Sequence, residues 1–88
     1  MYTITTTNKF DKSLKLCKKR NYDLSLLQVV IDLLQKAGKL PQKYKPNKLS
    51  GNYKDCWECH IKPDWLLVWK QNDTELMLLL LDIGTHSD

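Results

Sequence analysis

The spacing of apolar residues changes near the middle of the chain. Between residues 8 and 38, apolar side chains recur every three or four positions, which is the period of an amphipathic helix. From residue 54 onward they alternate with polar side chains or form short unbroken runs, as in β-strands. The first half of the chain is therefore predicted to be mainly helical and the second half to form a sheet.

Two helices are predicted in the first half. The first covers residues 8–20 with Asn8 as its N-cap, and the second covers residues 24–38 with Asp23 as its N-cap and Gly38 at its end. The apolar stripes are Phe10, Leu14 and Cys17 in the first helix, and Leu27, Val30, Ile31 and Leu34 in the second. Because each helix has one apolar side, the pair should form a helical hairpin that covers a sheet.

Strands are predicted before and after the helices. Residues 2–7 are rich in β-branched side chains and predict a first strand. Three more strands are predicted at 54–62, 65–70 and 74–84, with turns at "KPDW" (62–65) and "QND" (71–73). The strand at 65–70 is apolar on both sides, which indicates a central position. Residues 39–53 contain two prolines and a glycine and predict a loop.

These elements predict an α+β fold in the order β-α-α-β-β-β. The last three strands form a small antiparallel meander, and the first strand lies at its edge or beside the last strand. The helical hairpin packs on one face of this sheet. At 88 residues, the chain is expected to be a single domain covering residues 1–88.

Positive charge is concentrated in two segments. The chain has 14 Lys and Arg against 10 Asp and Glu, and the stretch from Lys36 to Lys54 holds six lysines and no acid. The second cluster is Lys15, Lys18, Lys19 and Arg20. Such clusters attract phosphate chains or acidic protein segments. The alternative interpretation is a solvated lysine-rich surface.

The sequence favours a cytoplasmic protein. The first residues lack the apolar segment of a signal peptide, and the longest apolar run, residues 76–83, is too short to span a bilayer. Three cysteines are an odd number, which argues against a disulfide framework. No membrane association is expected.

The segment "CWECH" at residues 56–60 has the spacing of a c-type haem attachment site. In a strand, however, Cys56 shares its face with Glu58 and His60, whereas Cys59 points to the other face. No second ligand pair with zinc spacing is present, and a strand does not provide the helix N-terminus that a redox dithiol needs. No metal and no cofactor are therefore expected, and Cys17 and Cys59 are predicted to be buried apolar side chains.

The polar side of this strand carries Lys54, Glu58 and His60, with Asp64 just after the strand and His86 just after the last strand. Two imidazoles and two carboxylates beside a basic loop suit general acid–base chemistry on a phosphodiester. Taken singly, an exposed histidine or a turn aspartate usually has no catalytic role.

The segments "LSGNYKDCWECHIKPDWLLVWK" and "LLLLDIGTHSD" resemble the YafQ branch of the RelE/ParE toxins of bacterial type II toxin–antitoxin systems. The shared pattern is Gly-aromatic-Lys, then acid-x-His-h-x-Pro-Asp, an apolar strand and a terminal Gly-[Ser/Thr]-His. The resemblance covers nearly the whole chain. It implies a RelE-like fold and a ribosome-dependent endoribonuclease (an mRNA interferase) that cuts mRNA without a metal and is neutralised by a cognate antitoxin. The implied partners are this antitoxin and the ribosome with its mRNA and rRNA.

The resemblance also implies roles for individual residues. His60 and His86 would be the acid–base pair, Glu58 would orient His60 or act as the base, and Asp64 would act directly or hold its turn. The implied phosphate-binding residues are Lys43, Lys45, Lys48 and Lys54, with Asn47 at a position where relatives often carry histidine.

The sequence departs from the family pattern at several positions. Trp57 and Asp82 stand where relatives commonly have basic residues, no aromatic follows the terminal histidine, and the single arginine is Arg20 on the helical side. Charge stabilisation would then fall to lysines, which lack the planar fork of arginine. A catalytically weak or degenerate toxin-fold protein, which binds antitoxin or ribosome without cleaving RNA, is therefore the alternative hypothesis.

Overall fold

Two helices lie against one face of a five-stranded mixed sheet. The computed structural model describes residues 1–53 and 55–85. The helices are α1 (Asn8–Lys19) and α2 (Leu24–Ala37), and the strands are β1 (Thr3–Thr6), β2 (Asn47–Lys48), β3 (Cys56–Lys62), β4 (Trp65–Asn72) and β5 (Met77–Thr85). The α+β class and the order of the main elements are confirmed. Within the described ranges, no helix has both the length and the apolar character needed to cross a bilayer.

The predicted loop at 39–53 contains more regular structure than expected. It holds two short 3₁₀ helices, Gln42–Tyr44 and Gly51–Tyr53, and the two-residue strand β2. A strand of two residues is too short to produce a periodic sequence pattern, so the prediction missed it.

The strands are arranged in the order β1-β5-β4-β3-β2. β3, β4 and β5 form the predicted antiparallel meander, and β1 pairs with β5 in parallel, with Thr3 opposite Met77. The position of the first strand beside the last is therefore confirmed. β4 lies at the centre, as its two-sided apolar pattern predicts.

The core lies between the helices and the inner face of the sheet. Its buried members are Phe10, Cys17, Leu27, Val30, Leu34, Cys59, Ile61, Trp65, Leu67, Trp69, Leu78, Leu80 and Ile83. Both predicted helical stripes face this core, although Leu14 and Ile31 are only partly buried at its border. Burial of these stripes against the sheet is the main apolar contact that holds the helices in place.

The helix ends follow from side-chain hydrogen bonds. The N-cap of α1 is Thr7, so the prediction of Asn8 was wrong by one residue. The Thr7 hydroxyl accepts from the N–H of Phe10 at 3.1 Å and donates to Leu81 O at 3.0 Å, which joins the start of α1 to β5. Asp23 caps α2 as predicted, and Gly38 ends it with φ of 66°.

The last turn lies later than predicted. β4 continues to Asn72, which is opposite Met77, so the chain reverses at residues 73–76 instead of 71–73. The Asn72 side chain accepts from the N–H of Glu75 at 2.9 Å and closes the turn. β5 consequently begins at residue 77 and not at 74.

A hydrogen-bond network fastens the start of the chain to α2 and β4. The Tyr2 hydroxyl donates to Asp73 at 2.6 Å. The Gln71 amide donates to Gly38 O at 3.0 Å and to Asp73 at 2.7 Å, and it accepts from the Trp69 indole at 2.9 Å. The bonds that Tyr2 and Gln71 donate lower the pKa of the Asp73 carboxyl, because they favour its charged form.

β3 separates the two cysteines of "CWECH". Cys59 is 0% exposed, and burial raises the pKa of its thiol to about 12. Cys56 lies on the opposite face and is also buried, although that face of the strand was predicted to be mainly polar. Three strand residues span about 10 Å, which is beyond the roughly 7 Å limit between disulfide-linked Cα atoms. The pair cannot act as a dithiol in this strand.

We expect Gly38→Ala to destabilise the protein by about 2 kcal/mol, of which about 1 kcal/mol is backbone strain at positive φ. The remainder arises because a Cβ there would meet the Tyr2 hydroxyl oxygen at 2.5 Å and displace the ring from Asp73. Gly51→Ala is the matched control, since Gly51 has φ of 70° and no atom within 4 Å of the added Cβ. Equal losses in urea unfolding would contradict this account.

We expect Cys59 to resist iodoacetamide at pH 8 in the native protein. With a thiol pKa of about 12, only about one molecule in ten thousand would carry the reactive thiolate. Mass spectrometry after alkylation, with and without denaturant, measures this, and denaturant should expose all three cysteines to the reagent. Rapid formation of a Cys56–Cys59 disulfide in the native protein would show that β3 does not separate them.

Candidate active site

Glu58 and His60 lie on the open face of the sheet, the face turned away from the core. Neighbouring strand residues point to opposite faces, so Cys59 enters the core while Glu58 and His60 stand on the other side, both half-buried. Glu58 is opposite Val68 and His60 is opposite Leu66 on β4. The two positions are about 7 Å apart along the strand. The predicted shared face is therefore present.

The His60 ring is oriented by the turn of its own hairpin. Its Nδ1 lies 3.1 Å from the carbonyl oxygen of Pro63. A carbonyl oxygen only accepts hydrogen bonds, so Nδ1 must carry the proton and donate it. In the neutral ring the basic nitrogen is then Nε2. This fixed tautomer is the arrangement that a proton-transferring histidine needs.

Asp64 occupies the predicted "KPDW" turn, where Lys62 pairs with Trp65 and the chain reverses at Pro63 and Asp64. Its side chain is exposed. The same turn thus carries the carbonyl that orients His60 and a carboxylate at the rim of the sheet.

Two lysines of the basic segment lie beside His60. Lys43 and Lys45 line a cleft of about 180 Å³ together with His60, Lys62 and Pro63. The Lys43 ammonium also lies 5.1 Å from the centre of the Tyr44 ring, a cation–π contact. Tyr44 packs against the core, which holds this part of the loop against β3. The cleft is therefore positively charged on one side of the histidine.

Asn47 and Lys48 point to opposite sides of the sheet. Asn47 is opposite Glu58 on β3, whereas Lys48 is opposite Trp57. Lys48 lines a separate cleft with Trp57 and Asp73, near the other end of the sheet. The prediction grouped Lys48 with Lys43 and Lys45, and the structure does not bring it to them, because β2 imposes an alternation that a loop would not have.

Lys54 and His86, both predicted site residues, lie outside the described residues. Thr85, which directly precedes His86 in the sequence, pairs with Trp65 at the end of β5.

A larger cleft, which we call the α1 cleft, lies between α1 and the open face. It has a volume of about 420 Å³. It is lined by Lys9, Ser13, Leu16, Cys17 and Arg20 from the α1 segment, by Tyr22, by Leu66 and Val68 from β4, and by Asp82, Ile83, Gly84 and Thr85 from β5. The hydrophobic pattern of the sequence did not predict this cleft. A 4-3-4 spacing places Lys9, Ser13, Leu16 and Arg20 in one row along α1, and this spacing is the sequence feature that indicates the helix side of the cleft.

Asp82 fastens α1 to β5 inside this cleft. Its Oδ1 accepts from the Ser13 hydroxyl at 2.8 Å and from the N–H of Ile83 at 2.9 Å, and its Oδ2 lies 3.4 Å from the Lys9 ammonium. Asp82, which departs from the basic residue that the family resemblance implies at this position, is thus a structural link in this chain. Arg20, expected on the helical side, lines the cleft that opens beside the candidate catalytic face.

Within residues 1–53 and 55–85, no three His, Cys, Asp or Glu side chains come together as a group that could hold a metal ion. The cysteines at 17, 56 and 59 are not joined in disulfides.

Comparisons with known proteins agree with the fold of this chain. A curated mRNA interferase toxin YafQ of Escherichia coli strain K12 is 33% identical over 85 residues, which cover 96% of this chain and 90% of that protein. A metal-bound toxin from Helicobacter pylori is 46% identical, with coverage of 99% and 97% and a TM-score of 0.89. The YafQ chain of an E. coli DinJ–YafQ complex is 32% identical, with coverage of 99% and 96% and a TM-score of 0.90.

The family model described as "Bacterial toxin of type II toxin-antitoxin system, YafQ" matches residues 2–88. The resemblance found in the sequence is therefore confirmed. This chain belongs to the YafQ family of toxins of bacterial type II toxin–antitoxin systems.

Proposed function

We propose that this protein is an mRNA interferase that cleaves message on the ribosome and is neutralised by a cognate antitoxin. The observation that carries the proposal is the placement of His60. Its ring is fixed by Pro63 O on the same face as Glu58, and it lines a cleft with Lys43 and Lys45. A proton-transferring group beside cations is what phosphodiester cleavage needs. The curated relative named mRNA interferase toxin YafQ supports the same reaction class.

The proposed reaction uses the RNA itself as nucleophile. The 2′-hydroxyl oxygen attacks the adjacent phosphorus while the bond from phosphorus to the 5′-oxygen of the next nucleotide breaks. A base takes the proton from the 2′-hydroxyl, and an acid gives a proton to the leaving 5′-oxygen. The products are a 2′,3′-cyclic phosphate and a free 5′-hydroxyl. The proposed reaction uses no metal ion.

His60 exchanges its proton at Nε2, because Nδ1 is engaged by Pro63 O. His86 is its proposed partner. Glu58 either acts as the base or orients His60 on the face that they share. Asp64 contributes either a carboxylate at the rim or the shape of the turn that supplies the Pro63 carbonyl.

The proposed phosphate-binding residues are Lys43 and Lys45 beside His60, together with Lys54. Asn47, opposite Glu58, is placed to hydrogen-bond RNA on the same side of the sheet. Each lysine acts as a point charge that stabilises the additional negative charge on the phosphorane oxygens.

The proposed protein partner is an antitoxin, as in the E. coli DinJ–YafQ complex. An acidic or mixed-charge segment that folds on binding suits the basic surface of this chain. The other proposed partner is the ribosome, whose rRNA phosphates would contact the lysines while the message enters the site.

The placement of Asp82 favours a second candidate function. A carboxylate bound to Ser13 and Lys9 stands where the family resemblance implies a cation. A chain that had lost transition-state stabilisation could still bind antitoxin or ribosome without cleaving RNA. Cleavage mapping separates the two functions, because only the first leaves new 5′ ends on translated message.

We expect expression of the protein without an antitoxin to arrest growth, and His60→Gln to relieve the arrest. Glutamine keeps a hydrogen-bond donor of similar size but exchanges no proton at neutral pH, so cleavage should fall about 100- to 10,000-fold. Primer extension on translated message measures this, with Val29→Ala at an exposed α2 position as the control. Unchanged cleavage by His60→Gln and by His86→Gln would refute the acid–base assignment.

We expect the double variant Lys43→Gln and Lys45→Gln to bind a single-stranded RNA oligonucleotide about 10-fold more weakly. The matched control is Lys39→Gln with Lys48→Gln, which removes the same charge from the clefts beside Trp57. That control should change the Kd by no more than about 2-fold, since only long-range attraction is lost. Equal effects in fluorescence anisotropy would mean that the lysines act only through net charge.

A further inference from the structure

We propose that the α1 cleft holds a nucleotide of the RNA next to the cleavage point, with the Arg20 guanidinium on its phosphate. This inference rests on the function proposed above. It assigns a specific contact to the single arginine of the chain, which the sequence placed only in a general basic cluster, and to a surface of α1 for which the family resemblance implied no role.

The α1 cleft is continuous with the face that carries His60. The sheet register places His60 opposite Leu66, and Leu66 opposite Gly84. Both Leu66 and Gly84 line the cleft. Because neighbouring strands are about 4.8 Å apart, the floor of the cleft begins roughly 5 to 10 Å from the His60 strand. An RNA strand with one phosphate at His60 therefore has its next nucleotide over the cleft.

Arg20 is held in place relative to this floor. It is the C-cap residue of α1: its N–H donates to Leu16 O at 3.0 Å, and the N–H of the next residue, Asn21, donates to Lys18 O at 3.1 Å. The helix is in turn fastened to the sheet by burial of Phe10 and Cys17 and by the bond from Ser13 to Asp82. A guanidinium on such a fixed backbone can offer a phosphate two parallel hydrogen bonds, which a lysine cannot do.

The walls of the cleft suit a nucleobase. Leu16, Leu66 and Val68 supply apolar surface from two sides, and Leu16 is 42% exposed. Gly84 has no side chain, which lets a flat ring approach the strand closely. A volume of about 420 Å³ lies within the range of small-ligand sites. An apolar slot with a cation at its rim is a common way to bind a base and its phosphate.

The Asp82 carboxylate in the α1 cleft repels the proposed RNA phosphate only weakly. Asp82 is paired with Lys9 and accepts hydrogen bonds from Ser13 and the N–H of Ile83. These contacts offset its negative charge locally. The phosphate is expected at the other end of the helix row, where Arg20 lies four residues beyond Leu16.

The test is Arg20→Ala in the full chain, measured by anisotropy with a single-stranded RNA oligonucleotide at several salt concentrations. We expect the Kd to rise about 10-fold and the slope of log K against log salt to shrink by about 0.7, the value for one lost phosphate contact. Lys19→Ala removes the same charge from the adjacent position, which does not line the cleft, and should change the Kd by less than about 2-fold. Arg20→Lys should restore part of the affinity.

A second pair of variants tests the slot without touching the arginine. Leu16→Glu places a carboxylate in the cleft, whereas Val29→Glu makes the same change at a 48% exposed position on α2. We expect only Leu16→Glu to weaken RNA binding, by about 5- to 10-fold. Unfolding curves of both variants show whether any loss is one of folding.

Single-turnover cleavage of translated message separates binding from chemistry. We expect Arg20→Ala to raise the concentration that gives half-maximal cleavage by about 10-fold, whereas His60→Gln lowers the rate at saturation. The proposal is overturned if Arg20→Ala behaves like Lys19→Ala, if it lowers the saturating rate as His60→Gln does, or if it weakens antitoxin binding but not RNA binding. A wild type that binds RNA through Arg20 but cuts no message would support the cleft and refute the proposed function.

Discussion

The register of β3 against β4, which is continuous from Cys56 to His60, is the constraint on which the rest of the molecule depends. Cys59, Leu67 and Trp69 are buried almost completely, and their burial fixes the register of the central strand pair. A slip by one residue would turn these side chains to solvent and bring Glu58 and His60 into the core. The same packing that stabilises the fold therefore determines which side chains are available for chemistry, and no separate scaffold is needed to present them.

Local hydrogen bonds refine what this register provides. The hairpin turn after β3 supplies a carbonyl that selects one tautomer of His60. On the other side of the open face, the Asp82 contacts keep α1 beside β5 and form the wall of a cleft. Rigid neighbours of this kind lower the entropy that binding of the proposed RNA substrate would cost. Because the core of an 88-residue chain is small, hydrogen bonds and ion pairs at the surface also determine the geometry of the site.

Periodicity in the sequence was enough to predict the helices, the meander and the side of β3 that carries Glu58 and His60. It failed where tertiary contacts decide the outcome. Thr7, and not Asn8, caps α1 because the Thr7 hydroxyl also donates to Leu81 O. Lys48 lies apart from Lys43 and Lys45 because successive side chains of the two-residue strand β2 point to opposite sides of the sheet. The place of Arg20 in a cleft depends on the angle at which α1 meets the sheet. No local sequence pattern determines that angle. The spacing along α1 indicates only which helix residues share a row with Arg20.

The fastening of Tyr2 to Asp73 has a practical consequence for handling the protein. The register places Thr3 opposite Met77 at one end of β5, whereas the Pro63 turn and Thr85 lie at the other end. Met1 is 82% exposed beyond that fastening point. A fluorophore, surface tether or purification handle attached there would project from the end of the sheet opposite the candidate catalytic histidine. The same attachment after Thr85 would sit beside the site it is meant to report on.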